Sequence, residues 1–348
     1  MPRPSGPSGP PNTADKMVAA ELAFFSKALA SFVKSNAKFE VVCSVSRRHV
    51  IPSTSSSASL PSPLVTPARQ RSQIHNLVIL DSSFNPPTLA HMKLAISALQ
   101  HLRSTNTFSS FSPPTLKSTR LLLLLSVNNA DKAPKPAPFE QRLALMLAMA
   151  RDTHAVLASS TADADLDIPI DIGLTSEPYF HNKSNAIAIS PFYVRPDFAS
   201  APDSKTTPDQ LFLLGYDTLI RIFDAKYYKA SDGPIPESLP PTATPMQIAL
   251  TPLMRRAHLR VTTRPDSDWG DETTQRAWVD ATVDRLGGPT EHWASKISLD
   301  TGAGTGTSAV SSTVAREASK AHDAARLSLL VGPSVLSWLE RQNPYDEA

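Results

Sequence analysis

The sequence predicts an α/β protein built on an open parallel sheet with helices on both faces. Short apolar runs of strand length alternate with longer segments in which apolar residues recur every three or four positions. The short runs are almost continuously apolar, as in strands that are buried on both faces. This alternation of strand and helix is typical of parallel sheets, whose ligands bind at the carboxyl ends of the strands.

The chain divides into four parts by composition. An amphipathic helix pattern covers residues 15–35, with Phe25 and Phe32 on its apolar face, and Phe39–Val45 alternates like a short strand. A stretch rich in serine and proline follows, which we interpret as a linker. The predicted parts are a disordered tail at 1–13, an N-terminal helix and strand at 14–51, a Ser/Pro-rich linker at 52–73 and the main domain at 74–348.

Strands and helices alternate through the main domain. Each predicted strand is an apolar run that ends in a polar turn: His75–Leu80, Leu121–Ser126, Leu211–Leu214, Leu259–Thr263 and Ala294–Leu299. Each predicted helix has apolar residues at helical spacing: Leu89–Leu102, Phe139–Arg151, Thr218–Phe223, Glu272–Leu286, Thr313–Ala324 and Pro333–Arg341.

Charge and cysteine content exclude some classes of protein. The 34 basic and 32 acidic residues give a net charge of +2, so any phosphate binding has to be local, and we expect no nucleic-acid partner. The single cysteine, Cys43, excludes a disulfide framework and a cysteine zinc site. No apolar run approaches the length of a spanning helix, and the N-terminus lacks the apolar centre of a signal peptide. We therefore expect a cytoplasmic or nuclear protein without a membrane partner.

A first candidate phosphate site follows the first strand of the main domain, in the segment D-S-S-F-N-P-P-T-L-A-H-M-K. Thr88 is a good N-cap after two prolines, and His91 falls within the first turn of the helix. A helix N-terminus presents free N–H groups and the positive end of the helix dipole, which suits a phosphate. The same pattern also fits an ordinary capped helix with a surface histidine.

A second candidate phosphate site lies near the C-terminus, in V-S-S-T-V-A-R. Ser311 or Ser312 caps the predicted helix, and the Arg316 guanidinium has the fork geometry that phosphate oxygens prefer. No G-x-x-x-x-G-K-[ST] segment occurs, and no G-x-G-x-x-G segment follows the first strand of the main domain. This argues against a P-loop ATPase and against a bound NAD redox cofactor.

The two segments resemble the signatures of the nucleotidylyltransferase superfamily, and most closely those of the nicotinamide mononucleotide (NMN) adenylyltransferases, as a divergent fungal-type branch. The first segment is similar to G-S-F-N-P-x-T-x-x-H, with Ser82 in place of the opening glycine, and the second to I-S-S-T-x-x-R. The resemblance implies a Rossmann-like nucleotidylyltransferase fold. It implies catalytic roles for His91, Thr88 and Arg316, and ATP binding by Ser83, Phe84, Asn85, Ser311, Ser312 and Thr313.

Segments between the two motifs extend the resemblance. The segment S-V-N-N-A-D-K-A-P-K is similar to a lysine-containing stretch of the family, so Lys132 or Lys135 is a candidate to neutralise phosphate charge. Both also fit ordinary lysines of a solvated loop. Gly215 and Asp217, in G-Y-D-T-L, resemble the family's G-A-D segment, which binds ATP through close backbone approach and the ribose hydroxyls; Asp217 also fits a simple helix cap. Glu177 and Tyr179, with Tyr228, resemble the segments that bind the mononucleotide, although tryptophan is usual in the family.

By this resemblance the reaction is Mg²⁺·ATP + NMN → NAD + pyrophosphate, with Mg²⁺ bound through the ATP phosphates. One alternative is an adenylyltransferase with another acceptor, such as nicotinic acid mononucleotide or phosphopantetheine. Another is a nucleotide-binding, ATP-hydrolysing regulatory protein that acts through partners. Every phosphate motif lies beyond residue 74, which predicts that ATP binding does not need residues 1–73, a region available for protein partners.

Overall fold

The computed structural model describes residues 13–46, 74–104, 118–128, 137–159, 167–194, 207–229, 235, 239–263, 268–288, 292–300 and 310–346. The predicted tail at 1–13 was one residue too long, because Thr13 begins a helix. The rest of the tail, the linker at 52–73 and Lys132 lie outside these ranges, so the predictions made for them stay predictions.

The strands of the described residues form a single seven-stranded sheet. They are β1 (Phe39–Val45), β2 (Asn76–Asp81), β3 (Thr119–Ser126), β4 (Ile170–Thr175), β5 (Asp209–Gly215), β6 (Ala257–Thr262) and β7 (Ile297–Asp300). Their order is β1-β4-β3-β2-β5-β6-β7, with β1 antiparallel to β4 and the others parallel. Because the order changes direction beside β2, the carboxyl end of β2 is the topological switch point, where ligands of such sheets bind.

Helices cover both faces of the sheet, as the sequence predicts. They are α1 (Thr13–Ser35), α2 (Leu89–Ser104), α3 (Phe139–Ser159), α4 (Phe180–Ala188), α5 (Tyr216–Ile222), α6 (Pro245–Arg256), α7 (Glu272–Trp278), α8 (Asp284–Gly287), α9 (Ser312–Lys320), α10 (Ala324–Ser328) and α11 (Pro333–Arg341). Helices α1 to α3 and α9 to α11 contribute to the core on one face, and α4 to α6 to the core on the other. The predicted fold class, an α/β protein with an open, mostly parallel sheet, is confirmed. No helix in the described ranges is long and apolar enough to cross a membrane.

Some predicted boundaries were wrong. The helix predicted at Thr313–Ala324 is two helices, because His322 has a φ of 50° and Asp323 caps α10 by accepting a hydrogen bond from the Arg326 N–H. The helix predicted at Glu272–Leu286 contains a π-helical turn, Val279–Val283, between α7 and α8. Strand β7 begins at Ile297, because a 3-10 turn at Trp293–Lys296 occupies the start of the predicted strand.

Strand β4 is absent from the sequence-based prediction because a charged residue interrupts its apolar run. Asp171 is fully buried, and its carboxylate accepts hydrogen bonds from Arg120 of β3, from Ser44 of β1 at 2.5 Å and from Tyr193 at 2.9 Å. A buried charge is tolerated only when it is paired and hydrogen-bonded in this way. Because the partners come from distant parts of the chain, the local pattern does not reveal the strand.

The N-terminal helix and strand belong to the same sheet and core as the main domain. Phe25 is fully buried and Phe32 is 2% exposed in the core that α1 shares with α3. The nearly buried Glu21 carboxylate accepts a hydrogen bond from Arg151 of α3 at 2.7 Å. Strand β1 adds an edge to the sheet beside β4. Residues 13–45 therefore stabilise α3 and β4 directly.

Helix α11 is fixed to α3 by a carboxylate at its N-terminus. Asp152 is buried, and its side chain accepts hydrogen bonds from the backbone N–H groups of Ser334, at 2.9 and 3.2 Å, and of Val335, at 3.4 Å. A carboxylate at this end of a helix also interacts favourably with the helix dipole. The carboxylate lies so close to Gly332 that an added Cβ would come within 2.1 Å of Asp152 Oδ2.

We expect Gly332→Ala to destabilise the protein. The new methyl group would displace the Asp152 carboxylate from the N–H groups that it accepts, and overpacking of this kind costs ~1–3 kcal/mol. Urea unfolding measures the effect, with Ser334→Ala as the control, since that variant keeps the backbone N–H group on Asp152. Equal unfolding free energies for Gly332→Ala and wild type would show that the carboxylate moves aside without penalty.

Candidate active site

The first motif forms the loop between β2 and α2, at the switch point of the sheet. The backbone N–H of Ser82 donates to the Leu124 carbonyl, which extends the pairing of β2 with β3 into the loop. Phe84 is fully buried beneath the loop and contributes to the core. Helix α2 then begins at Leu89, so Thr88 occupies the predicted capping position and His91 lies in the first turn, as predicted.

His91 is held by hydrogen bonds at both ring nitrogens. Its Nδ1 accepts a hydrogen bond from the backbone N–H of Thr88 at 3.1 Å and lies 2.9 Å from the Thr88 hydroxyl. Its Nε2 lies 2.9 Å from the Ser82 hydroxyl oxygen. Burial lowers the pKa of His91 to about 4, so the ring is neutral at pH 7. Because Nδ1 accepts, the single ring proton is on Nε2 and is directed at Ser82.

The second motif lies directly against the first. Ser311 caps α9 by accepting a hydrogen bond from the Val314 N–H at 3.2 Å. The Ser312 hydroxyl donates to the Pro86 carbonyl at 2.8 Å, although 226 positions separate the two residues in the chain. The Arg316 guanidinium donates to the Asn85 carbonyl at 2.7 Å and to the Thr313 hydroxyl at 3.0 Å. Two helix N-termini, those of α2 and α9, are thus joined through one loop.

Tyr345 is a residue of this region that the motifs did not identify. Its ring is fully buried, and its hydroxyl donates to the Asn85 side-chain oxygen at 3.0 Å. Burial raises the pKa of Tyr345, so the hydroxyl stays protonated and remains a donor. It lies in the segment Q-N-P-Y, beyond the last predicted helix, where no pattern of the sequence indicated a role.

Two of the predicted mononucleotide residues, Tyr179 after β4 and Tyr228 after α5, both contact the ring of His181. The ring of Tyr179 stacks on His181, with centroids 5.7 Å apart, and lies 6.3 Å from Tyr227. The ring of Tyr228 lies 5.5 Å from that of His181. We call these four side chains the aromatic cluster. The sequence analysis identified Tyr179 and Tyr228 but neither His181 nor Tyr227.

Charged groups border the aromatic cluster. Glu177 forms an ion pair with the exposed Lys38 at 3.0 Å. Burial lowers the pKa of His181, and the Glu177 carboxylate partly offsets that effect, so the imidazole is neutral at pH 7. On the nearby α4, the buried Lys183 donates to the Asp81 carboxylate at the end of β2, and both side chains are under 8% exposed. The sequence analysis missed this ion pair.

Gly215 and Asp217 lie where β5 meets α5. Gly215 is the N-cap of α5, with an extended φ of −85°, and pairs with Thr262 of β6. Asp217 lies in the first turn of the helix, where a carboxylate is favoured by the helix dipole. The alternative interpretation of Asp217 as the capping residue was therefore wrong. Its position at the carboxyl edge of the sheet is compatible with a contact to a ribose hydroxyl.

No family model matches the chain. It is 31% identical over 154 residues to a protein of Schizosaccharomyces pombe named "putative nicotinamide mononucleotide adenylyltransferase". The aligned region spans 44% of this chain and 44% of that relative, so somewhat less than half of each is compared.

Solved structures with a similar arrangement include a nicotinic acid mononucleotide adenylyltransferase of Plasmodium falciparum complexed with NaAD. It is 12% identical, with a TM-score of 0.40, over 78% of this chain and 98% of that one. The same enzyme complexed with APC gives 14% identity and a TM-score of 0.40, over 78% and 98% of the two chains. The similarity to the S. pombe relative confirms the resemblance to the nucleotidylyltransferase family that the two motifs predict.

Proposed function

We propose that this protein transfers the adenylyl group of ATP to nicotinamide mononucleotide, which yields NAD and pyrophosphate. The observation that supports this most strongly is the pair of hydrogen bonds between the two motifs, which Ser312 and Arg316 donate to the carbonyls of Pro86 and Asn85. These hydrogen bonds hold two helix N-termini beside one loop at the switch point of the sheet. An arrangement of this kind suits a polyphosphate, because both dipoles and two sets of N–H groups favour negative charge.

The proposed roles follow from this geometry. His91 and Thr88 serve the α-phosphate and the leaving group, at the start of α2. Ser311, Ser312, Thr313 and Arg316 bind the β- and γ-phosphates at the start of α9. Arg316 has five N–H donors, and its contacts to Asn85 and Thr313 orient the guanidinium without using all of them. Ser83, Phe84 and Asn85 form the loop beneath the nucleotide, Gly215 and Asp217 contact the adenosine, and Lys132 contributes further positive charge.

The reaction needs no protein nucleophile. A phosphate oxygen of the mononucleotide attacks the α-phosphorus of ATP, a new P–O bond forms, and the bond between the α-phosphorus and the bridging oxygen breaks. The electron pair of that bond leaves on pyrophosphate. The acceptor phosphate is already ionised at neutral pH, so catalysis consists of positioning and of stabilising the charge that develops.

Mg²⁺ enters this proposal as part of the Mg²⁺·ATP substrate. Among the described residues, no group of three or more His, Cys, Asp or Glu side chains could hold a metal ion. The carboxylate at the end of β2, Asp81, is already paired with Lys183. A Mg²⁺ ion held mainly by phosphate oxygens and water fits this donor set, as is usual for nucleotide enzymes.

The aromatic cluster supports a pyridine mononucleotide as the acceptor. The pyridinium ring of NMN is a cation, and aromatic faces such as those of Tyr179 and Tyr228 attract cations. Glu177 is paired with Lys38, but that lysine is exposed and screened by solvent, so the carboxylate keeps negative charge near His181. This charge favours the neutral carboxamide of NMN over the carboxylate of nicotinic acid mononucleotide.

A pyrophosphate-release assay with Mg²⁺·ATP tests the proposal. NMN, nicotinic acid mononucleotide and phosphopantetheine are compared at equal concentration, and the dinucleotide product is identified by mass. We expect the highest kcat/KM with NMN. Tight ATP binding without pyrophosphate release for any acceptor would contradict the proposal and support a nucleotide-binding regulatory protein.

Tyr228→Ala should raise the KM for the mononucleotide more than the KM for ATP. Stacking of a base on an aromatic side chain is worth about 1–3 kcal/mol, so a rise of roughly tenfold is expected. Tyr228→Phe is the matched control, because it keeps the ring and loses only the hydrogen bond from the hydroxyl to the Ile222 carbonyl. Equal changes of both KM values in Tyr228→Ala would show that the cluster does not hold the acceptor.

Arg316→Ala should weaken ATP binding and lower kcat together. The variant lacks a side chain that binds phosphate both before and during the reaction. It also lacks the hydrogen bond from Arg316 to the Asn85 carbonyl. A hydrogen bond to a charged group contributes about 1.5–3 kcal/mol, so a loss of roughly 10- to 100-fold is expected. Arg316→Lys should recover part of it, because it keeps the charge without the fork. Arg341→Ala, at an ion pair with Asp15, is the control, and equal kinetics for Arg316→Ala and Arg341→Ala would refute the role.

A further inference from the structure

Ser82 lies beside the candidate catalytic histidine, as the first residue of the loop that follows β2. Its backbone is fixed by the hydrogen bond from its N–H to the Leu124 carbonyl, at the end of β2. Its hydroxyl oxygen lies 2.9 Å from His91 Nε2. Both residues are partly buried, at the switch point where the proposed nucleotide site lies.

The direction of the hydrogen bond between these two residues follows from the other side of the ring. His91 Nδ1 accepts the Thr88 N–H, and this leaves Nε2 with the only proton of the neutral imidazole. The bond therefore runs from Nε2–H to the Ser82 oxygen. Ser82 keeps its own hydroxyl proton, and within the described residues the structure records His91 as the partner of its side chain.

A phosphate oxygen could contact His91 Nε2 directly only if the Ser82 side chain first rotated away. The hydroxyl oxygen already occupies the place of an acceptor on the line of the N–H bond, at normal hydrogen-bond length. A phosphate that binds next to the hydroxyl needs no such rearrangement. It accepts a hydrogen bond from the Ser82 hydroxyl, and a hydroxyl that itself accepts a hydrogen bond is a stronger donor than an isolated one.

We propose that Ser82 is a catalytic residue that donates its hydroxyl proton in a hydrogen bond to the reacting phosphate, and that His91 acts through Ser82 as a positioning residue. This inference rests on the proposed adenylyl transfer and specifies which side chain of the first motif contacts the phosphate. No proton is transferred. The chain of donors runs from Thr88 N–H to His91, from His91 to Ser82, and from Ser82 to phosphate.

Kinetics of four variants test the relay. Ser82→Ala should lower kcat as much as His91→Ala does. The Ser82→Ala/His91→Ala double variant should be no slower than either single variant, because both substitutions interrupt the same chain of hydrogen-bond donors. Removal of a preorganised donor costs roughly 10²–10³ in kcat. Ser82→Thr should recover most of the activity, since it keeps the hydroxyl. Ser159→Ala, which removes an exposed hydroxyl at the end of α3, is the matched control.

A spectroscopic measurement separates the relay from the transfer reaction. The Nε2 proton resonance of His91, assigned from its loss in His91→Ala, should shift when ATP binds to wild type. In Ser82→Ala the shift should be lost, because no hydroxyl then connects the His91 ring to the phosphate by hydrogen bonds. This measurement needs no turnover, so it decides the relay even if no acceptor releases pyrophosphate. A kcat for Ser82→Ala at or above that of wild type, or an unchanged ATP-induced shift in that variant, would overturn the inference.

Discussion

His91→Ala is expected to lower the kcat for pyrophosphate release by roughly 10²–10³, the usual effect of removing one preorganised donor. The affinity for ATP should change much less, because the chain of donors that runs from His91 through Ser82 contributes mainly where charge develops in the transition state. The neutral ring is fixed by Thr88 on one side and faces Ser82 on the other, so it requires no reorganisation during the reaction. Single-turnover kinetics with saturating ATP and NMN measure the effect.

His75→Ala is the matched control for this prediction. His75 is exposed and lies immediately before β2, at the opposite end from the loop of the first motif. Circular dichroism and urea unfolding establish that both variants are folded. A folded His91→Ala protein that makes the dinucleotide at the wild-type rate would show that the active site does not lie at this loop.

Removal of residues 1–46 is expected to abolish folding of the remaining chain. The truncation uncovers the buried side of α3 that Phe25 and Phe32 contact, and it exposes the edge of β4. Loss of one fully buried phenylalanine alone costs about 3–5 kcal/mol, which is comparable to the whole stability of a small domain. The phosphate motifs lie beyond residue 74, so we expect this truncation to act through the loss of folding and not through the loss of a phosphate contact.

The truncation is best compared with two point variants. Phe25→Ala should lower the unfolding free energy by about 3–5 kcal/mol, whereas Val33→Ala, at a side chain that is 60% exposed, should have little effect. A truncated protein that unfolds cooperatively and binds ATP with wild-type affinity would show that α1 and β1 are an accessory layer.

The sequence was sufficient to predict the parallel sheet and the two helix starts, because both depend on local features. A continuous apolar run such as that of β3 and a capped helix such as α9 are encoded within a few adjacent residues. Strand β4 was different, because its buried Asp171 depends on Arg120, which lies 51 positions earlier. A charge in an apolar run indicates a loop until its partner is known.

The contacts that join the site depended on information that no local pattern contains. Ser312 and Arg316 donate to backbone carbonyls of Pro86 and Asn85, and every residue type presents a carbonyl. The two motif patterns therefore do not indicate through which atoms the segments contact each other. The pairing of Lys183 with Asp81 was unpredictable for a similar reason, because lysine on a helix is normally exposed.

The hydrogen bond from Tyr345 to Asn85 has a consequence for the synthesis of the protein. A ribosome that has completed β7 has produced the loop of the first motif, but not α9 or Tyr345, which hold Asn85 from two sides. The nascent chain can form most of the sheet before the loop acquires these contacts. We therefore expect nucleotide binding to begin only after residue 345 has left the exit tunnel.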